Sequence, residues 1–140
     1  IDAVARALLD DSSISMATVM KNIEEPRVIN DPNVVKVVID KNNFAVYFSR
    51  SPIPFHAEES EIKLPIYFKH IGLYGYTKDF LFIYKNLPVS YLERVECLEQ
   101  LRVLEEGFRI KVIETKYDTI GVDTPEDLEK VKQYLQKEKL

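Results

Sequence analysis

Five short runs rich in β-branched and aromatic residues alternate with helical patterns along this chain, and that interleaving most narrows what it can fold into. The runs are Ser15 to Ile23, Val34 to Asp40, Phe44 to Ser49, Ile66 to Tyr76 and Arg109 to Glu114. A proline-containing loop follows the first and the third. Lys41-Asn42-Asn43 is a tight turn, so the second and third runs form a hairpin and part of the pairing is antiparallel. The helices are marked by local signals. Ile1, Val4, Ala5 and Leu8 follow an i, i+3, i+4, i+7 pattern. Thr77 to Asn86 reads as a short helix. Ser90 with Glu93 makes a capping box for a helix predicted to run to Glu106 and stop at Gly107. Thr124 caps a last helix with Pro125 at its first position and Glu126 and Asp127 facing the positive end of its dipole. Glu24 to Asn33 and Ser51 to Lys63, each holding two prolines, read as loops. The fold class is α/β or α+β.

At 140 residues there is room for one compact domain. A formal charge of −4, with no basic cluster, argues against nucleic acid or a membrane surface as partner. Cys97 is the only cysteine, which excludes an intramolecular disulfide and a thiolate metal cluster and fits a reducing cytoplasm. No run is long enough to span a membrane. The opening at Ile1, already inside a helical pattern and without Met, suggests a piece of something longer.

Four places can carry chemistry. In the fourth run Phe68, His70, Gly72, Tyr74 and Tyr76 share one face, and Gly72 leaves a slot between an imidazole and a phenol. A glycine inside a strand marks either a bulge or the close approach of a ligand, and both readings stand. Arg50 continues the strand face of Phe44, Val46 and Phe48. It is either a fork for an acidic substrate or a solvated strand end. On the helix from Ser90, the stripe Leu92, Val95, Glu99 and Arg102 holds two charges at a spacing that lets them pair, with Gln100 at its boundary and able to reach a polar ligand. Asp123, in Gly121-Val122-Asp123-Thr124-Pro125, either supplements a helix cap or joins substrate phosphates in holding Mg²⁺.

Together these segments resemble the 3-deoxy-manno-octulosonate (Kdo) cytidylyltransferases, or CMP-Kdo synthetases. The matching stretches are Asn33 to Val38, Ala45 to Pro54, Lys69 to Tyr76, Leu98 to Leu104 and Gly121 to Leu128, in order and covering nearly the whole chain. The resemblance implies a mixed-sheet α/β fold of the nucleotide-diphospho-sugar transferase type. It implies transfer of CMP from CTP to Kdo with release of pyrophosphate, for lipopolysaccharide biosynthesis, by a cytoplasmic homodimer using Mg²⁺. Arg50, His70, Tyr74, Glu99 and Gln100 would form the sugar-acid pocket, and Asp123 would be a metal ligand. The family's glycine-rich basic loop, which wraps the triphosphate, and its Gly-Asp-Glu-Pro-like segment have no counterpart here, because Gly72, Gly75, Gly107 and Gly121 are scattered. The expectation is therefore a C-terminal, sugar-binding and dimerisation half, forming a single-domain fragment that is inactive alone. Two other readings are open: activation of a sialic-acid-type sugar by the same chemistry, and a non-catalytic oligomerisation module.

Overall fold

The computed structural model describes residues 1–62, 66–117, 122 and 125–137. The strands are β1 (Met16–Asn22), β2 (Lys36–Ile39), β3 (Ala45–Ser49), β4 (Phe68–Tyr76) and β5 (Lys111–Glu114). They form one sheet in the order β3-β2-β4-β1-β5. β1 and β5 run parallel, and the other pairs are antiparallel. The five expected strands are thus present, and the hairpin closes through Asp40, whose carboxylate accepts from the amides of Asn42 and Phe44. The two edge strands also meet. Phe44 bridges Lys111, with Ala45 N donating to Ile110 O at 2.9 Å and Val112 N to Asn43 O at 2.8 Å.

Each face of the sheet buries a different layer, because side chains alternate along β1 and β5. Met16, Met20 and Val112 point to the larger core with Val37, Phe48, Phe80, Leu101, Val103 and Ile110. Ala17 and Val19 point the other way, to Val4, Ile14 and Ile71. α1 (Asp2–Asp10) covers that second face and approaches closely over Gly75, where a Cβ would come within 2.6 Å of Val4 Cγ1. Phe48 and Leu101 have no exposed surface, and burying each contributes roughly 2–3 kcal/mol relative to leaving it in water.

The helices on the larger core's side are short. α3 (Lys78–Tyr84) starts at Thr77, whose hydroxyl accepts from Phe80 N. The loop expected over 24–33 contains a one-turn helix, α2 (Pro26–Ile29), started by a proline whose fixed φ suits a first helical position. The helix expected from Ser90 to Glu106 is two helices, which corrects that reading. α4 (Tyr91–Glu96) has the predicted capping box but ends at Cys97, in the left-handed conformation with φ 54°. Leu98 N then donates back to Glu93 O, closing a Schellman-type turn, before α5 (Leu101–Glu105) begins. Beyond the break Leu98, Leu101 and Val103 all reach the core. Gly107, at φ 79°, ends α5 as its sequence position requires. α6 (Pro125–Lys137) closes the described chain at the predicted place, while Thr124 lies outside the described residues.

Candidate functional site

β4 is the floor of the site, and its bulge shapes it. Thr18 of β1 pairs with Tyr74 but Val19 pairs with Ile71, so Gly72 and Leu73 drop out of the ladder. Above this irregularity lies a cleft of about 360 Å³, lined by His70, Gly72 and Tyr74 from β4, Asn33 from the segment entering β2, and Gln100 from the turn after α4. Gly72 thus sits in a bulge and opens into a cleft. A Cβ on Gly72 would meet no protein atom within 4 Å. A second lobe of about 330 Å³ shares Tyr74 and Gln100 and adds Tyr76, Tyr84 and Glu99.

The break at Cys97 is what presents Gln100. The residue is only 5% exposed, yet its side chain caps no helix and enters no hydrogen bond with a described residue. No buried polar side-chain atom among the described residues lacks a partner, so this carboxamide opens to the cleft. A nearly buried amide without a protein partner is poised for a polar ligand. Glu99 is exposed and follows it into the second lobe.

The aromatic groups form a row from Phe48 through His70 and Tyr74 to Tyr76, with ring centroids 4.9, 5.4 and 6.1 Å apart. Burial pushes the His70 pKa down to about 4, which leaves the ring neutral near pH 7. Burial also raises the Tyr74 phenol, helped by Tyr76, Tyr84 and Glu99, and pushes Tyr76 up to about 12. His70, Tyr74 and Gln100 thus offer neutral donors and acceptors, suited to hydroxyl groups, in a cleft that Lys69 also lines.

Arg50 does not line this cleft. Its guanidinium donates to Glu96 O and Pro32 O, each at 3.0 Å, tying the 31–34 segment to the end of α4. The strand-face argument for Arg50 fails because β3 bulges. Val38 pairs with Tyr47 and Ile39 with Ala45, which leaves Val46 unpaired and 59% exposed. Glu96 lies beneath Arg50. Burial opposes its charge, but the Arg50 amide and the Ser49 and Tyr47 hydroxyls outweigh that and hold its pKa below the usual carboxylate range. Nor do Glu99 and Arg102 pair. Arg102 bonds Glu93 through both carboxylate oxygens.

Two supporting residues carried no assignment from the sequence. Lys36 is fully buried, and its ammonium donates to the carbonyls of Asp31, Val34 and Arg50 at 2.9, 2.6 and 2.5 Å. It pins the wall of the cleft from below, and its desolvation lowers its pKa. Thr18, also fully buried, lies under His70. A lysine within a β-branched run was the available signal for the first. A threonine in a strand gives none.

Asp123 lies outside the described residues. Among the described residues no three His, Cys, Asp or Glu side chains converge as a metal site. No helix among the described residues is long and apolar enough to cross a membrane.

A family model described as cytidylyltransferase matches residues 1–115. The chain is 57% identical over 131 residues to the 3-deoxy-manno-octulosonate cytidylyltransferase of Solibacter usitatus, covering 94% of this chain and 51% of that protein. It is 46% identical to the protein of the same name from Fusobacterium nucleatum, covering 96% and 54%. A solved structure of CMP:2-keto-3-deoxy-manno-octonic acid synthetase complexed with CTP superposes with a TM-score of 0.89 at 37% identity, over 98% of this chain and 55% of that one. The expected mixed-sheet α/β fold is thus the fold of that synthetase. The chain spans about half the length of the relatives it matches.

Proposed function

The chain belongs to the cytidylyltransferase family, and from that premise we propose that it supplies the sugar-acid side of a CMP-Kdo synthetase. In this reading the cleft over Gly72 receives 3-deoxy-manno-octulosonate. The anomeric hydroxyl of the sugar attacks the α-phosphorus of CTP. The bond to the β-phosphate breaks, pyrophosphate leaves, and the hydroxyl proton is lost. Mg²⁺ would neutralise the triphosphate, with Asp123 as one of its ligands. The names of the relatives favour Kdo over a sialic acid. The remaining half of the relatives' length is where we place nucleotide binding, so turnover belongs to the complete protein, in the cytoplasm and as a homodimer. The product would feed lipopolysaccharide synthesis.

The observation that carries this reading is the convergence of His70, Tyr74 and the carboxamide of Gln100, which bonds no described residue, on one cleft. Arg50 keeps a supporting part by holding the cleft's rim, and Glu99 serves the second lobe. The test is pyrophosphate release from CTP with Kdo or a sialic acid as acceptor, in a protein spanning the relatives' full length. Release with Kdo alone, cut at least tenfold by Gln100→Leu, is the expected result. Equal release with a sialic acid, or a Gln100→Leu variant as fast as wild type, overturns it.

A further inference from the structure

The hydroxyl of Thr18 lies 2.9 Å from His70 Nε2, 2.9 Å from Leu73 O and 3.4 Å from Ile71 O. Both carbonyls flank Gly72 in the bulge of β4, where the ladder to β1 is interrupted. A threonine hydroxyl has one proton to give, and a carbonyl can only accept. That proton therefore goes to the carbonyls of the bulge. Were it turned to Nε2 instead, the hydroxyl and Leu73 oxygens would face each other at 2.9 Å without a hydrogen between them, in a fully buried place. The remaining role for Thr18 Oγ1 toward the ring is as acceptor, which requires the ring proton on Nε2.

We infer that Thr18 is a positioning residue that fixes His70 as its Nε2–H tautomer, so that Nδ1 meets the ligand as an acceptor and takes a hydroxyl rather than a carboxylate. Three features converge on this. The ring is held edge-on to Phe48 at 4.9 Å and tilted on Tyr74 at 5.4 Å, which limits its rotation. Its hydrogen bond with a described residue uses Nε2, and no buried polar side-chain atom among those residues lacks a partner, so Nδ1 opens to the cleft that His70 lines. A neutral imidazole with its proton already placed presents only a lone pair there, and a carboxylate oxygen facing it would be repelled. The choice of a hydroxyl as ligand group rests on the reading of the cleft given above. The tautomer does not.

Histidine ¹⁵N spectra of the 140-residue chain decide it, since His56 and His70 are the only two histidines. The wild type is expected to show His70 with Nε2 protonated and Nδ1 in the pyridine-like range. Added Kdo should shift Nδ1 toward the hydrogen-bonded range. Thr18→Ser keeps the pattern, whereas Thr18→Val mixes the tautomers and weakens Kdo binding about tenfold, the size of one lost hydrogen bond. A proton on Nδ1 in the wild type overturns the inference whether or not Thr18→Val folds, and so does an unchanged tautomer in a folded Thr18→Val. An Nε2–H pattern that Kdo does not disturb supports the Thr18 lock and overturns the assignment of the cleft to Kdo.

Discussion

Arg102 grips Glu93 through both carboxylate oxygens, Nε to Oε2 at 2.6 Å and Nη2 to Oε1 at 2.5 Å, and so bolts α5 to the first turn of α4 across the break at Cys97. The two side chains are 16% and 10% exposed. Arg102 also donates to Leu87 O, and Glu93 accepts from Ser90 N at the cap. Arg102→Met strands a shielded carboxylate and should lower unfolding stability by roughly 2–3 kcal/mol. Arg102→Lys, which lacks the fork, should recover only part of it. Urea denaturation of the three proteins checks this. A loss in Arg102→Met under about 0.5 kcal/mol would reduce the pair to an ordinary surface contact.

Cys97 is exposed and holds a left-handed conformation that suits glycine. Cys97→Gly should stabilise the chain by about 0.5–1 kcal/mol, and Cys97→Val should destabilise it by more than about 1 kcal/mol, because a β-branched side chain crowds that backbone. Chemical denaturation reads the difference. A valine variant as stable as the glycine one would mean that the break is not held at this residue.

The two glycines of β4 should respond oppositely. Gly72→Val adds atoms only to open space, so thermal unfolding should be nearly unchanged while Kdo binding, measured by calorimetry, is lost. Gly75→Ala drives a Cβ to 2.6 Å from Val4 Cγ1 and 2.8 Å from Leu8 Cδ1. α1 must shift, at about 1 kcal/mol of stability. Retained Kdo binding in Gly72→Val would remove the cleft from consideration.

His70 should make the fold acid-sensitive. Unfolded, its imidazole takes a proton near pH 6.5; folded, burial delays that to about pH 4. Between these values the unfolded chain binds more protons, so stability falls as pH falls and is fully restored above about pH 6.5. The whole loss is on the order of 3 kcal/mol. His70→Gln should flatten the stability profile between pH 6.5 and 5, where few carboxylates titrate. Parallel profiles for the two proteins would contradict a neutral buried ring.

What was legible in the sequence was local. The five strands, the hairpin turn, the capping box at Ser90 and the stop at Gly107 each follow from residues within a few positions of one another. The helix break was not, because Cys97 carries no turn signal. Leu98, Leu101 and Val103 lie in the core just beyond it, a packing no local spacing announces. A bulge was among the readings of Gly72, but the one in β3 escaped. Strict alternation placed Arg50 over an apolar face, but Val46 is an extra residue opposite Val38 and Ile39, and the face dissolves. His70 and Tyr74 survived as a pair because the bulge at Gly72 and Leu73 adds two residues, which preserves the alternation. Thr18 acts through His70 and the bulge carbonyls, more than fifty residues away, and Lys36 joins the nearby Asp31 and Val34 carbonyls to that of Arg50, so no spacing rule reaches either role.

The contact between Phe44 and Lys111 makes the sheet a nearly closed loop whose edge strand β5 comes latest in sequence among the described strands. β1 has its β5 neighbour missing until residue 114 has emerged, so a nascent chain carries an open seam beside Met16 to Met20 until then. Pairings this distant along the chain form slowly, and unpaired strand edges invite association with other chains. Truncation just before Lys111 should therefore yield a product that clumps or is degraded rather than a smaller folded one.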